Sequence, residues 1–211
     1  MLKIHHLAMS RSDRIVWLAE ELGLQYELVR HARDPKTFLA TETLKAVSPV
    51  GKSPAIEDGN RVIHESAVIV EYLLDAYGKG RLRPQPGTAE LDQYRYWLHC
   101  SESTLMLPVL LDMMTGMAQI SSAAMDFFMT REYSTMFGYV EQTLQRHDYI
   151  AGPEFTAADI MVGYTLRLGA GTAVPGGKMR SPVEKMPGIQ AYLGKLQHRA
   201  AFIRTQEILS A

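Results

Sequence analysis

Apolar residues along this chain follow two periods, and the switch between them happens once. From Leu2 to Leu7 a short apolar-rich run ends in the small polar loop Ala8-Met9-Ser10-Arg11-Ser12, after which Ile15, Leu18, Ala19 and Leu22 recur at helical spacing up to Gly23. That pattern predicts strand, loop, helix. Residues 26–30 alternate as a strand, residues 38–46 can form a helix, and residues 55–63 read as two strands around an Asp58-Gly59 turn. Ser66 is placed to cap a helix whose apolar residues are Val68, Ile69, Tyr72 and Leu73. The order βαβαββα over residues 1–77 predicts an α/β domain with a mixed sheet.

Residues 78–87, Gly-Lys-Gly-Arg-Leu-Arg-Pro-Gln-Pro-Gly, are too rich in Gly and Pro for a regular element. They mark a linker over 78–88, and everything from 89 to 211 reads as helical. Tyr94, Trp97, Leu98, Ser101 and Leu105 repeat at three and four, Pro108 is expected to kink this first long helix, and Gly116 to end it. Thr156 followed by Asp159 is a capping box, with Phe155 and Ile160 as its hydrophobic staple. A last helix is expected to begin near Pro187, with Ile189, Tyr192, Leu193 and Leu196 on one face.

Charge and composition exclude more than they select. The 211 residues carry 22 Lys and Arg against 23 Asp and Glu, a formal net charge of −1, so no global field favours nucleic acid or an anionic membrane. The lone cysteine, Cys100, cannot close an internal disulfide, and no CxxC or Cys/His cluster suggests a redox dithiol or a zinc site. The first residues lack the apolar core and cleavage site of a signal peptide, and the greasiest run, Leu105 to Met114, is too short to span a bilayer and contains Asp112. These features predict a soluble cytoplasmic protein. His5, His6 and His64 have no ligand spacing and read as strand or loop residues, so no metal is expected.

Residues 46–53, Ala-Val-Ser-Pro-Val-Gly-Lys-Ser, fit a relaxed phosphate-binding loop. Such a loop must run directly into a helix, whereas Pro54 follows at once and the chain continues into a hairpin signal, so nucleotide binding is rejected here. Residues 171–178 miss the spacing altogether and read as a plain loop. Pro54 can be an ordinary trans turn proline, or a cis proline that turns the preceding backbone amide and carbonyl outward for an extended peptide to pair with. Glu65-Ser66 gives the second alternative substance. A serine at a helix start, with the first amides of that helix, suits a carboxylate, and the glutamate beside it suits an ammonium group. Both groups together are the α-amino-acid end of a peptide.

Four segments, in this order and with a linker between the third and fourth, resemble the cytosolic glutathione transferases, in particular bacterial and fungal serine-type members. They are residues 10–24 (SRSDRIVWLAEELGL), 48–56 (SPVGKSPAI), 65–73 (ESAVIVEYL) and 150–160 (IAGPEFTAADI). The resemblance implies a thioredoxin-like N-terminal domain, an all-helical C-terminal domain and a homodimer. It implies that Ser53, before a cis Pro54, pairs by backbone with the cysteinyl unit of glutathione, that Glu65 and Ser66 hold its γ-glutamyl end, and that Lys52 approaches the glycyl carboxylate.

On that reading the loop before the first helix supplies the chemistry. Ser10 is favoured as the hydroxyl that stabilises the glutathione thiolate, Ser12 is the rival donor or else an N-cap for a helix starting near Asp13, and Arg11 adds positive potential or makes an exposed salt bridge. No cysteine lies in the loop, which argues against members that work through a mixed disulfide, and Cys100 reads as a buried helix residue. Met106, Met113, Met114 and Met117 cluster along one stretch. With Trp97 and Leu107, Met106 and Met113 are expected to line the pocket for a small hydrophobic electrophile, although core filling explains methionines equally well. The leading expectation is conjugation of glutathione, as co-substrate, to such electrophiles. The alternatives are glutathione-dependent isomerisation or dehalogenation, and a non-catalytic glutathione-binding member.

Overall fold

The computed structural model describes residues 1–120, 122–171 and 180–211. The expected loop at 171–178 lies, from 172 onward, outside the described residues. The chain divides into two compact units, Met1–Arg81 with His198–Ala211, and Leu82–Gln197.

In the first unit β1 (Leu2–Leu7), α1 (Ser12–Leu22), β2 (Tyr26–His31), the single-turn α2 (Glu42–Lys45), β3 (Ala55–Asp58), β4 (Arg61–His64) and α3 (Ser66–Leu73) follow in sequence. The four strands form one sheet in the order β2-β1-β3-β4. β1 pairs parallel with β2, Leu2 opposite Tyr26, and antiparallel with β3, Ile4 opposite Ile56. β3 and β4 pair antiparallel, Ala55 opposite His64, so the Gly59-Asn60 turn joins them as the Asp-Gly signal predicted. Ile4 and Ile56 from the sheet, Ile15, Leu18 and Ala19 from α1, and Ile69 and Leu73 from α3 are fully buried. Burying each of the larger ones contributes about 1.5–3 kcal/mol, which makes this apolar layer the main source of the unit's stability. Gly23 closes α1 at φ 67°, a left-handed position that suits glycine.

Several local expectations change. Residues 38–46 hold only the short α2, because Phe38 has φ 60° and Arg33 pairs with Ala40 in an isolated bridge, which consumes the segment's beginning. Ser66 is the first residue of α3 and not its cap; Glu65 stands at the cap position. A further helix, α9 (Ala200–Ser210), follows the one expected to be last, and it belongs to the first unit, not to a helical domain running from 89 to 211. The reason is its docking on α1. Trp17 meets Phe202 edge-on at 4.9 Å, and Arg199 grips Glu21 through two hydrogen bonds of 2.6 and 2.8 Å.

The second unit contains α4 (Ala89–Cys100), α5 (Met106–Met117), α6 (Ala123–Leu144), α7 (Ala157–Gly169) and α8 (Pro187–Gln197). The expected long helix kinked at Pro108 is two helices broken over 101–105. Pro108 sits in the first turn of α5, where its missing N–H costs no hydrogen bond, and α5 runs through Gly116 to Met117. Trp97, Phe137, Val109, Val140, Ile160 and Leu166 are fully buried. The capping box is present at α7. Asp159 is wholly buried and accepts hydrogen bonds from Thr156 N–H (2.7 Å), Thr156 Oγ (3.0 Å), Ile150 N–H (2.8 Å) and Tyr192 Oη (2.8 Å). Among the described residues no helix is long and apolar enough to cross a membrane.

Candidate active site at one end of the sheet

The strand pairings gather the candidate residues before any side chain is considered. β1 ends at Leu7, β3 begins at Ala55 opposite His5, and β4 ends at His64 opposite Ala55. The C-terminal end of β1, the N-terminal end of β3 and the C-terminal end of β4 are therefore at the same edge of the sheet. Ser10 follows the first, Ser53 and Pro54 precede the second, and Glu65 and Ser66 follow the third.

The Ser53–Pro54 peptide is cis, Pro54 is buried and Ser53 is half-buried. No helix follows Lys52, which agrees with the rejection of a phosphate-binding loop. Instead Gly51 N–H turns back to Ser48 O at 2.7 Å and Lys52 N–H to Ser48 Oγ at 3.2 Å, leaving the Lys52 side chain exposed. Glu65 adopts φ 70°, ψ 126°, rare for a residue with a side chain. Conformations of this kind cost on the order of 1–3 kcal/mol and concentrate at ligand sites, where the surroundings enforce them. The consequence at Glu65 is geometric. Its carbonyl accepts from Ile69 N–H at 2.9 Å, so the N–H groups of Ser66, Ala67 and Val68 stand ahead of the first bond of α3 beside an exposed carboxylate.

Across this edge Ser10 Oγ donates to Ser53 Oγ at 3.0 Å and lies 2.8 Å from Ser12 Oγ. Ser12 is not the N-cap expected of it: α1 begins at Ser12, whose side chain is fully buried and turned back to β1, with Leu7 N–H at 3.3 Å and His6 Nδ1 at 2.8 Å. The capping bond comes from Ser10 Oγ, which accepts from Ser12 N–H at 3.2 Å. One hydroxyl thus meets both the start of the helix and Ser53, while the rival hydroxyl is sealed in. Arg11, at the cap position, is half-buried.

Two residues missed by the sequence reading support this loop. Arg33 donates to the carbonyls of Ala8 (2.9 Å), Met9 (3.0 Å) and Phe38 (2.8 Å), and covers the Phe38 ring at 4.8 Å. It holds Met9 at φ 54°, the turn that delivers Ser10. An arginine that captures carbonyls leaves no periodic signal. Arg33→Ala is expected to cost about 1 kcal/mol of stability and to speed amide exchange over residues 8–12, measured by hydrogen exchange with mass spectrometry. The other is His6, fully inside the unit, whose pKa burial pulls down to about 4 with help from nearby Arg30 and His31.

In the second unit, Trp97 and Met106 are 0% and 1% exposed and serve as core, with Trp97 stacked on Tyr139 at 5.2 Å. Leu107 is 48% exposed and Met113 half-buried. Cys100 is buried, and burial pushes its thiol up, as an inert structural residue requires. His5, His6 and His64 lie on strands, and His5 is engaged by Glu57 (2.8 Å) and His31 (2.9 Å). Among the described residues no group of three or more His, Cys, Asp or Glu is placed to hold a metal.

A family model described as the glutathione S-transferase N-terminal domain matches residues 8–76, the stretch that carries Ser10, Arg11, Ser12, Lys52, Ser53, Pro54, Glu65 and Ser66. Glutathione S-transferase 3 of Schizosaccharomyces pombe is 34% identical over 172 residues, 75% of this chain and 70% of that protein. The chain belongs to the glutathione S-transferase family. A glutathione S-transferase of Actinobacillus pleuropneumoniae aligns with 100% of this chain and 94% of its own, at 31% identity and a TM-score of 0.86. A glutathione transferase of Phanerochaete chrysosporium solved with oxidized glutathione shares the fold at 22% identity, TM-score 0.80, over 99% of this chain and 96% of its own. The thioredoxin-like first domain and helical second domain are those of glutathione S-transferase structures.

Proposed function

We propose that this glutathione S-transferase is an enzyme of the serine type that conjugates the glutathione thiolate to small hydrophobic electrophiles. The observation that carries the reading is the Ser10–Ser53 hydroxyl contact at 3.0 Å beside the cis Pro54. If the cysteinyl unit of glutathione pairs with the Ser53 backbone, the hydroxyl nearest its sulfur is that of Ser10. Ser10 donates to the thiolate and forms no covalent intermediate; the sulfur attacks the electrophilic carbon. Glu65 takes the γ-glutamyl ammonium, the first amides of α3 with Ser66 take its carboxylate, and Lys52 takes the glycyl carboxylate. Arg11 adds positive potential.

Trp97 and Met106 are buried as core, and Leu107 and Met113 offer the apolar surface for the electrophile. A homodimer and a cytoplasmic location belong to the same proposal, and no metal takes part in it.

Isothermal calorimetry with reduced glutathione tests the binding step. Heat of a one-site complex at millimolar levels or below is expected, and Glu65→Gln should weaken it about tenfold or more, since a hydrogen bond to a charged group contributes about 1.5–3 kcal/mol. No uptake by folded protein at millimolar glutathione overturns the reading.

A further inference from the structure

The hydroxyl chain at the site has a direction, and hydrogen counting assigns it. Rested on the reading that Ser10 faces the glutathione sulfur, this direction identifies a residue whose role is to set it. Ser53 Oγ is 3.5 Å from the His5 carbonyl, which can only accept, so the Ser53 proton goes there. The proton in the 3.0 Å contact between Ser10 and Ser53 is then that of Ser10. With its single proton used, Ser10 must accept in the 2.8 Å contact with Ser12, and that proton belongs to Ser12. Ser12 has none left for His6, so the proton in the 2.8 Å contact between His6 Nδ1 and Ser12 Oγ comes from the imidazole.

The count closes without remainder. Ser12 Oγ accepts from His6 Nδ1–H and Leu7 N–H and donates to Ser10; Ser10 Oγ accepts from Ser12 Oγ–H and Ser12 N–H and donates outward. A hydroxyl has one proton and two acceptor positions, and both are filled. Independently, Asp13 Oδ1 lies 3.7 Å from His6 Nδ1, where negative charge favours a proton on that nitrogen.

We propose that His6 is a positioning residue: its Nδ1–H fixes the direction of the Ser12–Ser10 chain, so that the one proton at the open end is the Ser10 Oγ–H, which meets Ser53 Oγ and turns from it to the sulfur when glutathione binds. The opposite direction, with Ser10 donating to Ser12 and Ser12 to His6, would turn a lone pair toward the thiolate. Hydrogen bonds running one way also polarise one another, which makes the terminal hydroxyl a better donor. The ring stays neutral at working pH and directs the chain without adding charge.

The test reads the pKa of the bound thiol and the turnover rate in the full chain. His6→Leu is expected to raise the thiol pKa and to lower kcat at about pH 6.5 roughly three- to tenfold, with glutathione affinity changed less than twofold. His6→Asn, whose amide N–H can occupy the Nδ1 position, should recover most of that loss. In a Ser10→Ala background His6→Leu should have no further effect, because the chain then leads nowhere. Nitrogen NMR of histidine-labelled wild-type protein, which needs no variant to fold, should show His6 as the Nδ1–H tautomer. The Nε2–H tautomer, an unchanged thiol pKa in His6→Leu, or an undiminished His6→Leu effect without Ser10 overturns the proposal. If wild-type protein itself leaves the thiol pKa unshifted, the transferase reading falls as well; if only the His6 results fail, that reading stands.

Discussion

Replacing Ser10 by alanine should raise the pKa of the bound glutathione thiol by one to two units while leaving glutathione affinity at about pH 6 or below, where the neutral thiol is bound, almost unchanged. A free thiol titrates near 8.5, so at pH 7 only a few per cent is thiolate; lowering that value by two units takes about 2.7 kcal/mol of preference for the anion. A hydrogen bond to a charged group supplies about 1.5–3 kcal/mol and a helix N-terminus about 0.3–1 kcal/mol, so the Ser10 hydroxyl is the larger part. The effect on rate is smaller than the lost thiolate fraction, because a more basic thiolate is also more nucleophilic, with a Brønsted slope of about 0.4–0.5. For a two-unit shift, kcat/KM at about pH 6 should fall roughly tenfold, and the difference should vanish or invert above about pH 9, where both proteins hold the thiolate. A pH profile of both proteins with one aryl halide checks this. Ser12→Ala should behave otherwise. Its hydroxyl is sealed inside and also anchors Leu7 N–H and His6, so lost stability should accompany any loss of rate.

The largest effect on stability is expected at Asp159, far along the chain from Ser10. Asp159→Ala would leave four donors without their acceptor in a fully buried place: the N–H groups of Ile150 and Thr156 and the hydroxyls of Thr156 and Tyr192. Each buried donor stripped of its partner costs about 1–3 kcal/mol, less where the structure relaxes, so a loss of about 4 kcal/mol is expected. For a chain of this size that corresponds to a fall in Tm of roughly 10 °C, read by calorimetry. Asp159→Asn, which keeps an acceptor oxygen and the side-chain volume, should lose about half as much. Equal losses in the two variants would mean that charge, not the four hydrogen bonds, holds the start of α7.

These two positions also mark how far the sequence could be read. The capping box at Thr156 and Asp159 is legible because its partners are three residues apart, and the β1–α1 and β3–β4 units because apolar spacing and an Asp-Gly turn are local. The further links of Asp159 to Ile150 and Tyr192 join segments that no periodicity connects. The same limit explains α9. Its place depends on Arg199 meeting Glu21 across 178 positions, and a helix with few buried apolar residues gives little other signal. Pro108 misled because one residue type serves both to kink a helix and to open one, and only the surrounding turn distinguishes them. At the site, the residue types and their order along the chain were readable. The sequence favoured Ser10 over Ser12 as the thiolate donor; what it did not give is the burial of Ser12, which depends on α1 starting at that residue and not at Asp13. His6 was read as a strand or loop residue and lies on β1, yet its ring nitrogen is part of the hydroxyl chain.

The central claim is that the first unit holds the tripeptide with its sulfur against Ser10 and keeps that sulfur anionic. Its most direct measurement is the ultraviolet thiolate band of glutathione bound to wild-type protein, followed against pH and compared with free glutathione. A midpoint one to two units below about 8.5 is the predicted result. A saturated complex whose band rises at the same pH as free glutathione would contradict it.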